Sequence, residues 1–71
     1  MSKIPMQAET GRDVWVVFTD IYRNNIYDAT GLLVSQDKRW LCIRDDNDKY
    51  CTIFDCPRSH ILRLEEIPCQ H

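Results

Sequence analysis

A chain of 71 residues has room for one small domain, and at this size folding buries only about 60–65% of the surface that the unfolded chain exposes. Hydrophobic residues at 44% and charged residues at 28% exclude a disordered or fibrous protein. With 9 Lys and Arg against 11 Asp and Glu, the formal charge of -2 excludes coating of nucleic acid by bulk positive charge and leaves only a local basic site.

The opening stretch MSKIPMQAETGRD (1–13) lacks the apolar run of a secretory signal. No segment approaches the ~20 apolar residues of a membrane span. A cytoplasmic protein without membrane contact is therefore expected, with its four cysteines as reduced thiols or metal ligands. Pro5 can open a short helix and Gly11 can close it, so a helical turn is expected ahead of the first strand.

Polar breaks at 23–25, 36–38, 46–48 and 56–59 then divide the chain into runs rich in β-branched and aromatic residues. The runs are VWVVFTDIY (14–22), IYDATGLLVS (26–35), RWLCIRD (39–45), KYCTIFD (49–55) and HILRLEEI (60–67). Five short strands joined by short turns predict an antiparallel meander that curls into a small β-barrel, since closure removes exposed sheet edges. Gly31, inside the longest run, fits a bend or bulge where a strand crosses from one side of the barrel to the other. The expected organisation is a single domain over 1–71: an N-terminal segment or short helix (1–12), the barrel (13–67) and a tail (68–71).

The first run is apolar on both faces. Val14, Val16 and Phe18 share one side, Trp15 and Val17 the other, so one set points inward and the other must be covered. The cover is either the N-terminal segment or a bulge, or else a homo-oligomer or partner interface.

Cysteine and histidine recur towards the end of the chain. Cys51, Cys56, His60, Cys69 and His71 supply thiolate and imidazole donors, and the best-spaced set for a tetrahedral zinc site is Cys56, His60, Cys69 and His71. Cys51 and Cys56 are five positions apart in a predicted strand, so they face opposite sides and cannot share one ion. Cysteines packing as small hydrophobes are the expectation, with no metal and no cofactor. Cys56 with His60 has the outline of a nucleophile and base, but no third residue orients the pair, so no enzymatic activity is expected. RDDNDK (44–49) has the aspartates of a calcium loop without its glycine and glutamate, and reads as a hairpin turn.

Charge is distributed unevenly between the turns. Lys38 and Arg39 fall between the second and third strands, Arg58 and His60 between the fourth and fifth. In a meander barrel these turns can meet at one end and form a small anion site. An opposing acidic and apolar surface is expected from Trp15, Asp45, Asp46, Asp48, Glu65 and Glu66.

From residue 5 to residue 67 this layout resembles the Sm-like, SH3-type small β-barrels, with a short N-terminal helix, five bent strands and a tight turn between the last two. PRSHILRL (57–64) resembles the basic-histidine turn and following strand of the bacterial Hfq group. That resemblance implies RNA contacts on Arg58 and His60, with Lys38 and Arg39 beside them. The acidic balance and LLVSQDKRWLCIRDD (32–46) are more similar to the Rof type, small acidic barrels that bind a transcription termination factor. The implied function is a non-catalytic regulatory module acting by protein–protein contact on a nucleic-acid-handling or transcription factor. A protein partner is expected ahead of RNA, with an RNA-binding Sm-like protein and a zinc-stabilised interaction module as the alternatives.

Overall fold

Alternating β-branched and aromatic runs leave the backbone little choice but extended structure. The computed structural model, which describes residues 7–68, places strands at β1 (Asp13–Thr19), β2 (Ile26–Gln36), β3 (Trp40–Asp45), β4 (Ile53–Pro57) and β5 (Ile61–Glu66). A 3-10 turn at Arg58–His60 joins β4 to β5. All five strands are antiparallel neighbours in one sheet of order β4-β3-β2-β1-β5.

One face of this sheet is the core. Val14 and Val16 of β1, Ala29 and Leu33 of β2, Leu41 and Ile43 of β3, Cys56 of β4, and Ile61 and Leu64 of β5 are buried together. Residues from both outer strands enter the same cluster, so the sheet must bend back over itself. The bend is built into β2. Its first half pairs with β1, Ile26 opposite Thr19 through Leu32 opposite Asp13. Its second half pairs with β3, Gly31 opposite Asp45 through Gln36 opposite Leu41.

Gly31 sits where the two ladders overlap. A Cβ there would lie 1.7 Å from the carbonyl oxygen of Arg44, so no larger residue fits. This matches the bend expected at that glycine. Further irregularities accompany the curvature: β2 shifts register against β3 between Leu33 and Ser35, and β1 shifts against β5 between Val17 and Phe18.

Three expectations need correction. The expected closure is not seen: the strands form one open sheet with β4 and β5 as its edges, linked through the 3-10 turn. The expected N-terminal helix is not present in its described part, while Pro5 lies outside the described residues. Instead, Gly11 adopts a φ of 91° and donates its N–H to the Leu33 carbonyl (2.8 Å), and the Leu33 N–H donates to the Arg12 carbonyl (2.9 Å). Pairing with β2 satisfies backbone groups that so short a helix would hold poorly. Lastly, β4 begins at Ile53, four residues later than its apolar run. Asp48 accepts from the Tyr50 N–H (3.1 Å) and the Thr52 hydroxyl, and Cys51 has a φ of 51°, so the stretch ahead of Ile53 is turn and irregular loop and not strand.

The doubly apolar β1 is also resolved. Val14 and Val16 point inward, and Trp15 and Val17 point outward but are only half exposed. Neighbouring strands supply the cover: the Arg63 guanidinium lies 5.3 Å from the Trp15 ring, and the Trp15 Nε1–H donates to Asp28 Oδ2 (3.2 Å). The described N-terminal segment works on the other side, where Ala8 packs against the core.

Candidate functional site

The two basic turns do meet. The β2–β3 turn is folded by Asp37, whose Oδ1 accepts the N–H groups of Arg39 and Trp40 (both 2.8 Å). The 3-10 turn docks on it from β4. The Arg58 N–H donates to the Arg39 carbonyl (2.8 Å), its Nε–H to the Asp37 carbonyl (2.7 Å) and its Nη2–H to Gln36 Oε1 (2.6 Å). Gln36 in turn donates through Nε2 to the Ala8 carbonyl (2.8 Å) and to Thr10 Oγ1 (3.1 Å). Arg58 therefore latches two turns together, with Gln36 carrying the tie to the N-terminal segment.

Between these turns lies a cleft of about 330 Å³ lined by Lys38, Arg39, Trp40, Pro57, Arg58 and Ser59. Trp40 pairs with Pro57 and is 46% exposed. Lys38 and Arg39 are exposed, while Arg58 is half-buried and already engaged. His60, at the end of the 3-10 turn, is half-buried and does not line the cleft. The structure thus brings three of the four predicted basic residues together.

The acidic residues are dispersed and largely engaged. Glu66 pairs with Val14 across β1 and accepts the Glu9 N–H through Oε2 (2.7 Å). Glu65 is ion-paired with Arg63, beside Trp15. Asp46 pairs with Arg44 (3.3 Å), and Asp48 holds its own turn. Asp45 differs. It follows Leu41 and Ile43 on the inward side of β3, and among the described residues its carboxylate accepts one hydrogen bond, from the Asn47 N–H to Oδ1 (2.9 Å).

Asp45 lines a second, shallow groove of about 380 Å³ with Phe18, Tyr27, Asp28, Ala29 and Phe54. Phe18 of β1 and Tyr27 of β2 are cross-strand partners with ring centroids 5.8 Å apart; Phe54 of β4 reaches over the core to within 5.7 Å of Phe18. The rings are inclined to each other by 32° and 34°, forming a continuous aromatic floor where the sheet stays open. Tyr27, Asp28 and Phe54 were not singled out from the sequence. The alternation of β1 and β2 places Phe18 and Tyr27 each on a face, but the approach of β4 depends on the bend at Gly31.

The thiols do not form a reactive centre among the described residues. Cys56 is fully buried opposite Leu41, and burial pushes its thiol up to about 11, away from the thiolate a nucleophile or metal ligand needs. Cys51 is exposed in a turn, where strand parity no longer applies to it, and Cys42 is half-buried on β3. Cys69 and His71, half of the candidate zinc set, lie outside the described residues. Among the described residues, no three His, Cys, Asp or Glu side chains converge as a metal site, and no helix is long and apolar enough to cross a membrane. Comparison with models of known protein families, with characterised proteins and with solved structures found no match.

Proposed function

We propose that this chain is a non-catalytic regulatory module of the cytoplasm that acts by binding another protein, one that itself handles nucleic acid. We also read its bent sheet as a small barrel of the Sm-like type. The observation that carries the binding role is the aromatic groove of Phe18, Tyr27 and Phe54 bordered by the Asp45 carboxylate. A cluster of half-buried rings with Tyr27 exposed beside a carboxylate suits recognition of a basic, partly apolar surface. The nearby β1–β2 loop adds exposed Ile21 and Tyr22, 71% and 74% accessible, as further contact area. Self-association through the outer face of β1, around Trp15 and Val17, is a compatible extension of the same reading.

A second reading rests on the cleft between the basic turns. There Lys38 and Arg39 could meet a phosphate while a base stacks on Trp40, the pattern of single-strand RNA binding. One experiment separates the two: affinity purification from the native source, at low salt, followed by native mass spectrometry. The protein-binding reading expects a stoichiometric protein partner that survives nuclease treatment. Recovery of RNA alone, released by salt and lost in a Lys38→Ala/Arg39→Ala variant, overturns it in favour of RNA.

A further inference from the structure

We infer that the groove of Phe18, Tyr27 and Phe54 is a receptor for an arginine side chain presented by an apolar segment of the partner protein. This rests on the protein-binding reading above and names what that site takes. Three features of the groove point to a guanidinium. Its floor is aromatic, with centroid spacings of 5.7 and 5.8 Å; Phe18 and Phe54 are half-buried against the core, and the more exposed Tyr27 offers a flat cation a ring face. Its lining contains the carboxylate of Asp45, which is in no ion pair among the described residues, whereas Glu9, Asp46 and Glu65 are paired with Arg12, Arg44 and Arg63; the Asp28 carboxylate is turned to the other face of the sheet, bonded to Trp15. Among the described residues Asp45 accepts one hydrogen bond, from the Asn47 N–H, and keeps acceptor capacity for more.

Arginine satisfies both demands at once. Its planar fork can stack on a ring while donating to a carboxylate, whereas lysine offers a compact, strongly hydrated charge with no face to stack. A volume of about 380 Å³ lies within the usual range for a small ligand site of about 300–1,000 Å³, and it leaves room for an apolar neighbour of the arginine. Tyr27, 48% exposed, is the ring most open to that neighbour.

The test is an NMR titration of the full chain with three blocked tripeptides: leucine–arginine–leucine, leucine–lysine–leucine, and the neutral isostere leucine–citrulline–leucine. The arginine peptide should shift the ring resonances of Phe18, Tyr27 and Phe54 and bind at least about tenfold more tightly than the citrulline peptide, a difference of about 1.4 kcal/mol. The lysine peptide should fall between them. An Asp45→Asn variant keeps an acceptor oxygen but loses the charge, and should erase the preference for arginine without lowering the melting temperature. Tyr27→Ala should weaken all three peptides. Equal binding of arginine and citrulline peptides, an unchanged preference in the Asp45→Asn variant, shifts confined to the Lys38–Trp40 cleft, or no response at millimolar peptide would each overturn the assignment. Each of these outcomes is distinct from failure of the protein-binding reading, which is decided by co-purification.

Discussion

Cys51 and Cys56 lie five positions apart and meet opposite environments. Cys51 occupies an exposed turn at positive φ, while Cys56 is packed in the core against Leu41, with its thiol pushed up to about 11 by burial. A thiol in that setting behaves as a small hydrophobe. Iodoacetamide at mildly alkaline pH should therefore modify Cys51 readily and leave Cys56 unmodified until denaturant is added, as read by peptide mass spectrometry. Cys56→Ser should lower stability by about 1–3 kcal/mol, because a hydroxyl would be buried there with poor partners. Rapid alkylation of Cys56 in the native protein would mean that β4 opens locally. Arg58 makes a related point. Its sequence context marks it as a contact for an anion, but its guanidinium is held by Asp37 and Gln36, so its first role is to fasten two turns.

At the scale of elements, β2 decides the shape. It is 11 residues long and serves two ladders, and it can turn from one to the other only because the backbone of β3 packs directly against Gly31. Gly31→Ala should destabilise by more than about 3 kcal/mol or prevent folding, since the obstructing atom is a backbone carbonyl that cannot step aside. Gly11→Ala is the control. A Cβ at Gly11 meets nothing within 4 Å, so only its φ of 91° is strained, and a loss of about 1–2 kcal/mol is expected. Urea unfolding of the two variants measures the contrast; equal losses would show that the Gly31 approach is not the constraint. The hairpin connections share a device of their own. Asp20, Asp37 and Asp48 each turn a side chain back onto the following backbone, which accounts for three of the four polar breaks along the chain.

For the whole molecule these same groups set the response to pH. Hydrogen bonds from the Asn24 N–H and the Asn25 side chain hold the Asp20 carboxyl below its ordinary value of 3.8. The Arg39 and Trp40 N–H groups, with the charge of Arg58, do so for Asp37, and the Thr52 hydroxyl and Tyr50 N–H for Asp48. Each carboxyl binds its proton less tightly folded than unfolded. Their stabilisation is thus present above pH 3.8 and is lost as pH falls through the folded values. Cys56 acts at the other limit. Its folded value of about 11 exceeds the ordinary 9.0, so its contribution is complete below pH 9.0 and declines as pH rises towards 11. The melting temperature, followed by circular dichroism, should form a plateau between these limits. It should fall on both sides, and an Asp20→Asn/Asp37→Asn/Asp48→Asn variant should show a shallower acid decline. An acid slope unchanged in that variant would place the responsible carboxylates elsewhere.

Strand content was legible from residue types alone. Four of the five strands begin within about a residue of their apolar runs, because β-branched and aromatic side chains favour extended backbone wherever they fall. The exception, β4, was misplaced because Asp48 and Cys51 form a turn within a run that looks apolar. Of the basic cluster expected from the order of the turns, Lys38, Arg39 and Arg58 line one cleft and His60 does not. Which face of β1 is core was not legible, since Val14, Trp15, Val16 and Val17 satisfy either choice; cross-strand neighbours decide it by placing Arg63 and Asp28 over Trp15. The groove was equally hidden. Phe18, Tyr27 and Phe54 come from three strands, and only the bend at Gly31 carries β4 back across the core to close that floor. Local residue preference settled the strands and turns of this protein, while long-range register and curvature settled which side chains meet.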